Sequence, residues 1–126
     1  MNYPEKLFYT KDPEWIFFMG ETAIIGITYF AQGKLGDIIS LNITNLNETL
    51  EYEKIFGTVD AVKTASDLFM PVTGKVIEVN QKIIDKPELI NKDPYREGWI
   101  VKINVPDEKE RINLLSANEY RKLIGA

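Results

Sequence analysis

FGTVDAVKTASDLFMPVTGKVIEVN, residues 56–80, decides how this chain is read. Small and β-branched residues lead up to Lys63 and resume after it, which predicts strand, turn, strand. The small, neutral Ala61, Thr64 and Ala65 surround the lysine, and the acids Asp60 and Asp67 stand further off. Pro71 predicts an edge or a bend, and Thr73–Gly74 a tight turn before the next strand. Two readings of Lys63 stand side by side here. It is a solubilising residue at a hairpin tip, or a covalent attachment point whose amine projects clear of a rigid scaffold.

Outward from this hairpin the pattern stays β-rich. ETAIIGIT (21–28) reads as a strand entered after Gly20, and TYFAQGKLG (28–36) as a short helix capped by Thr28 and ended by Gly36. DIISLNIT (37–44) alternates Ile38, Ser40 and Asn42 against Ile39, Leu41 and Ile43, the mark of a half-buried strand. DKPELINKDPYREG (85–98) predicts a helical turn with capping-box spacing at Asp85 and Glu88, then a loop after Pro94. GWIVKINV (98–105) is a strand. The tail SANEYRKLIGA (116–126) is a helix with a capping box at Ser116 and Glu119, and with Leu115, Tyr120, Leu123 and Ile124 on one side. Many short strands separated by turns predict a small barrel or sandwich, in one domain spanning 1–126.

Composition narrows the function. The 126 residues are 44% hydrophobic and 27% charged, ordinary for a globular domain able to bury a core. A net charge of −4 with no basic run argues against nucleic acid as a partner. No apolar run approaches the roughly 20 residues of a membrane span. The opening MNYPEKLFYTKDPEW lacks signal-peptide order, so a cytoplasmic protein is expected, or a mature form whose leader is absent. With no cysteine and no histidine, the chain has no disulfide or thiolate nucleophile, and lacks the commonest general base. Redox or acyl chemistry here has to come from a cofactor. Phosphate-loop, zinc and EF-hand spacings are missing, so no metal site is expected.

Asp12, Glu14 and Asp67 are the remaining candidates. Singly each reads as a solvated acid or a cap, and Asp67 can accept from turn amides near Lys63. Gathered around a tethered arm, they could hold an amine-bearing cargo by charge-assisted hydrogen bonds. Trp15, Phe17, Phe18 and Phe30 read as core.

The chain resembles the H protein family of the glycine cleavage system, in five ordered blocks. These are YTKDPEW (9–15), GITYFAQGKLGDI (26–38), GTVDAVKTASDLFMPVTGKVIEVN (57–80), PELINKDPYREGWIVKI (87–103) and LLSANEYRKLI (114–124). The resemblance implies a mostly β, lipoyl-domain-like barrel-sandwich hybrid with short flanking helices and a C-terminal helix. It implies lipoate in amide linkage to Lys63, and a carrier that catalyses nothing alone; a monomer is expected, apart from the resemblance. A biotin carrier would flank its lysine with methionines, where Val62 and Thr64 stand here. The implied partners are a lipoylating enzyme, a pyridoxal-phosphate glycine decarboxylase, a folate-dependent aminomethyltransferase and a flavin dihydrolipoamide dehydrogenase. Asp12, Glu14 and Asp67 match positions that line the family's cleft for the loaded arm.

The chain also departs from the family pattern. Pro13 stands where a histidine is usual, Asp60-Ala61 replaces Glu-Ser before Val62-Lys63, and Lys34 replaces a histidine near the cleft. A lysine there would repel an ammonium cargo. The alternative is therefore an H-like lipoate carrier in another pathway, either sulfur transfer with a heterodisulfide-reductase-like complex or lipoate relay. An unmodified structural or regulatory module is a third reading.

Overall fold

The computed structural model describes residues 3–105 and 109–126. Its strands, numbered in chain order, form two antiparallel sheets. The larger sheet comprises β1 (Phe8–Tyr9), β2 (Glu14–Met19), β3 (Thr22–Ile27), β5 (Thr49–Leu50), β8 (Gly74–Val79) and β9 (Val101–Asn104), in the spatial order β1-β2-β3-β9-β8-β5. The smaller comprises β4 (Ile38–Asn42), β6 (Ile55–Ala61) and β7 (Ala65–Phe69), in the order β4-β6-β7.

Both sheets contribute to one core. Ile16, Ile25, Val76, Val101 and Ile103 from the larger sheet pack with Phe56, Val59 and Leu68 from the smaller, all of them fully buried. Each such side chain contributes about 1.5–3 kcal/mol when removed from water. Sheet facing sheet around a shared core is the barrel-sandwich architecture that the resemblance implied. A second, aromatic cluster of Tyr3, Tyr9, Trp15 and Tyr120 joins the larger sheet to helix α4 (Ala117–Ile124). Tyr9 and Tyr120 stack there with ring centroids 4.8 Å apart, and the Trp15 indole N–H donates to the Pro94 carbonyl at 3.1 Å.

The caps explain where the helices begin. Helix α1 (Tyr29–Leu35) starts at Thr28, whose hydroxyl accepts the Ala31 N–H at 3.1 Å. Helix α4 starts at the reciprocal Ser116–Glu119 capping box. Between them, among the described residues, lie the short helices α2 (Gln81–Asp85) and α3 (Leu89–Lys92) and a 3-10 helix at Lys109–Asn113. Among the described residues no helix is long and apolar enough to cross a membrane.

Four local expectations are corrected. The Asp85–Glu88 capping box does not form: Asp85 closes α2, and Glu88 makes no side-chain cap bond. Asn80 starts α2 instead, because its amide is already anchored to the Glu97 and Trp99 carbonyls, each at 2.8 Å. In β4 the alternation slips. A register shift against β6 between Ile38 and Ser40 buries Ile38 and leaves Ile39 58% exposed. Residues 71–73 form a bend, and Gly74 opens β8 rather than closing a tight turn. Leu123 is 56% exposed on α4, so it does not join Tyr120 in the aromatic cluster.

Candidate functional site: the Lys63 tip and its cleft

Strands β6 and β7 pair from Ile55↔Phe69 to Asp60↔Ala65, and the Ala61 N–H donates to the Thr64 carbonyl at 3.0 Å. Val62 and Lys63 are left as a two-residue tip, and both are exposed. The tip is docked by its backbone. A helix leaves its last carbonyls without intrahelical donors, and α1 ends at Leu35. The Lys63 N–H donates to the Leu35 carbonyl at 3.3 Å, and the Val62 N–H to the Asp37 carbonyl at 3.0 Å.

Gly36 makes this approach possible. Its φ of 79° lies in the left-handed region, and a Cβ built on it would stand 3.0 Å from Val62 Cγ2 and 3.4 Å from the Cγ and Cε of Lys63. The lysine stem therefore rests on a glycine backbone. Among the described residues its ammonium makes no hydrogen bond or ion pair.

A cleft of about 570 Å³ opens beside the tip. Phe30, Ala31, Lys34 and Leu35 of α1 form one wall, and Tyr120, Leu123 and Ile124 of α4 the other. Lys11, Asp12 and Pro13 from the β1–β2 turn, with Ser66 of β7, complete it. The helices are tied across the cleft by the Thr28 and Tyr120 hydroxyls, 2.8 Å apart. Lys34 Nζ sits 5.1 Å from the centroid of the Phe30 ring. Phe30, expected in the core, is half-buried against the aromatic cluster and faces this opening.

The structure brings one of the three candidate acids to this cleft, Asp12, which is partly buried. Glu14 is 1% exposed and turned inward. Its Oε2 accepts the Phe69 N–H at 2.9 Å, and its Oε1 lies 3.1 Å from the Thr10 hydroxyl. Burial pushes its carboxyl from 4.5 up to about 8; the Asp12 charge adds to the rise, while the Phe69 and Thr10 hydrogen bonds oppose it. At neutral pH Glu14 is mostly a neutral acid. It borders a smaller cavity of about 160 Å³, shared with Asp12, Tyr52 and Met70. Asp67 is exposed on β7 opposite Thr58 and is not part of the cleft lining. Among the described residues no cluster of three or more His, Cys, Asp or Glu side chains could hold a metal ion.

Sequence reasoning missed Lys11, Leu123 and Ile124 as cleft residues. An apolar pair on one side of a helix reads as core, and no local signal says that it walls an opening instead.

Comparison with known proteins agrees with this fold. The family model described as glycine cleavage H-protein matches residues 7–126. The glycine cleavage system H protein of Chlorobium phaeobacteroides is 49% identical over 128 aligned residues, covering all of both chains. That of Bacteroides fragilis is 46% identical over 126 residues, again covering all of both. The crystal structure of a glycine cleavage system H protein from Mycobacterium marinum superposes with a TM-score of 0.88 at 33% identity, covering 98% of this chain and 99% of that one. Full-length likeness in sequence and fold, with the conspicuous lysine at its hairpin tip, places the chain in the glycine cleavage H-protein family.

Proposed function

We propose that this chain is a lipoyl carrier of a glycine cleavage system, with lipoate joined through an amide bond to Lys63. The observation that supports it most is the tip itself: an exposed lysine without an ionic partner among the described residues, on a backbone held by two hydrogen bonds beside an open cleft. The surrounding residues fit such a group. Phe30, Leu35, Leu123 and Ile124 offer apolar walls to a hydrocarbon arm, and Gly36 leaves room for the lysine stem. When bound, lipoate would supply the disulfide and thiol chemistry that a chain without cysteine lacks.

The protein's own part is to present, orient and shelter. Amide formation removes the Lys63 charge, so the tether enters an apolar cleft without desolvating an ammonium. We assign Asp12 as the acid that meets an ammonium-bearing cargo there. Glu14 supports the site from behind, by holding β7 at Phe69. Asp67 stands exposed on the hairpin, and we assign it no contact inside the cleft. The carrier catalyses nothing by itself. It serves a lipoylating enzyme first, then in turn the glycine decarboxylase, the aminomethyltransferase and the dihydrolipoamide dehydrogenase.

One observation favours the second reading, an H-like lipoate carrier for a sulfur cargo: Lys11 and Lys34 both line the cleft, against the single acid Asp12. The deciding experiment is exchange of labelled bicarbonate into glycine, using lipoylated protein and the decarboxylase of the same host. Intact mass first establishes full lipoylation. Label entering glycine, and lost with Lys63→Ala, is the expected result. A fully lipoylated sample without exchange would overturn the glycine reading in favour of the sulfur or relay carrier.

A further inference from the structure

We propose that Asn91, on α3, is a positioning residue for Lys63, acting through the chain segment on which the hairpin tip hangs. The inference rests on the reading of Lys63 as the attachment point. After α1 the chain turns at Gly36 and enters β4 at Ile38, three residues that neither helix nor ladder fully supports. Asn91 supplies what is missing. Its Oδ1 accepts the Ile38 N–H at 2.9 Å, and its Nδ2 donates to the Gly36 carbonyl and to Gln32 Oε1, each at 2.9 Å. The amide's orientation is dictated by its partners, because Ile38 needs an acceptor and Gly36 a donor.

These bonds bracket Asp37 from both sides, and the Asp37 carbonyl is the one that accepts the Val62 N–H. The neighbouring Leu35 carbonyl, one residue before Gly36, accepts the Lys63 N–H. Asn91 therefore holds the two-carbonyl platform without a hydrogen bond of its own to Lys63. An ordered tip spares an approaching enzyme the entropy of fixing it. When only a fraction of the molecules present the tip correctly, apparent affinity falls by that fraction. Loss of Asn91 therefore appears in KM for the carrier and leaves kcat of the modifying enzyme unchanged.

Asn80 supplies a matched control. It is 4% exposed and makes three bonds of the same kind, to Lys82, Glu97 and Trp99, away from the tip. The test measures two quantities on the full chain. One is amide hydrogen exchange at Val62 and Lys63 in unmodified protein. The other is the kinetics of lipoylation by a lipoate ligase with lipoate and ATP, followed by intact mass, with Lys63→Arg to locate the modification. Asn91→Ala should speed exchange at both tip amides about tenfold and raise KM by the factor by which the ordered fraction falls. Asn80→Ala should leave both near wild type. Should Asn91→Ala fail to fold, Asn91→Asp keeps the acceptor for Ile38 and turns both donors into an acceptor, with the same expected result. Equal effects from Asn91 and Asn80 variants, or tip amides that exchange as in wild type, would overturn the proposal. A wild-type chain that gains no mass at Lys63 sinks the attachment reading instead, and the exchange rates still decide whether Asn91 orders the tip.

Discussion

Replacing Glu14 by glutamine should make the protein more stable at alkaline pH and leave it nearly unchanged in acid. The carboxyl is buried and its proton affinity is raised, from 4.5 to about 8. Between those values the folded chain holds a proton that the unfolded chain has released. Stability carried by this group is thus complete below pH 4.5, falls as pH rises through the window, and is gone above about pH 8. Each tenfold change in proton affinity is worth about 1.4 kcal/mol, so the full effect is at most about 5 kcal/mol. Structural relaxation around the charge will reduce it.

Glutamine reproduces the neutral acid. Its oxygen can accept the Phe69 N–H, and its amide can donate to the Thr10 hydroxyl, which lies 3.4 Å from the Glu14 carbonyl and can donate onward. Urea unfolding at pH 5, 6, 7, 8 and 8.5 gives the comparison, because other carboxylates titrate alike in both proteins. The expected difference curve is under about 1 kcal/mol at pH 5 and favours glutamine by a few kcal/mol at pH 8.5. Parallel curves across the range would refute the reasoning and mean that Glu14 is ionised in the folded protein.

Other outcomes follow from the same site. Gly36→Ala puts a Cβ into the left-handed turn and against Val62, and should cost about 1–2 kcal/mol while slowing lipoylation of Lys63. Urea midpoints and the rate of mass gain check it. Ser116→Ala breaks the capping box of α4 and should cost about 1 kcal/mol, with the slope of the urea transition unchanged.

Local chemistry was legible in the sequence. Thr28 and Gly36 mark α1, and Ser116 and Glu119 mark α4, because each signal acts within a few residues of the element it bounds. The strands around Lys63 were legible for the same reason, their residue types fitting a pleat broken by one turn. What depends on distant partners was not. The phase of β4 is set by a register shift against β6. Glu14 looks like a surface acid until Phe69, 55 residues away, donates to it across the two sheets. Asn91 belongs to a polar run that gives no hint of its bonds to Gln32, Gly36 and Ile38. The family resemblance reached the fold, and it grouped three acids of which the structure brings one to the cleft.

The place of β9 has a consequence for how the chain comes into being. This strand lies between β3 and β8, yet its residues, Val101–Asn104, come near the end of the chain. A nascent polypeptide can zip the β2–β3 and β6–β7 hairpins as they leave the ribosome. The middle of the larger sheet stays a gap until β9 emerges, with β3 and β8 offering unpaired edges meanwhile. Synthesis interrupted shortly before Val101 should therefore yield a sticky, half-built species, and the interval between the making of β8 and that of β9 is when this protein is most exposed to aggregation.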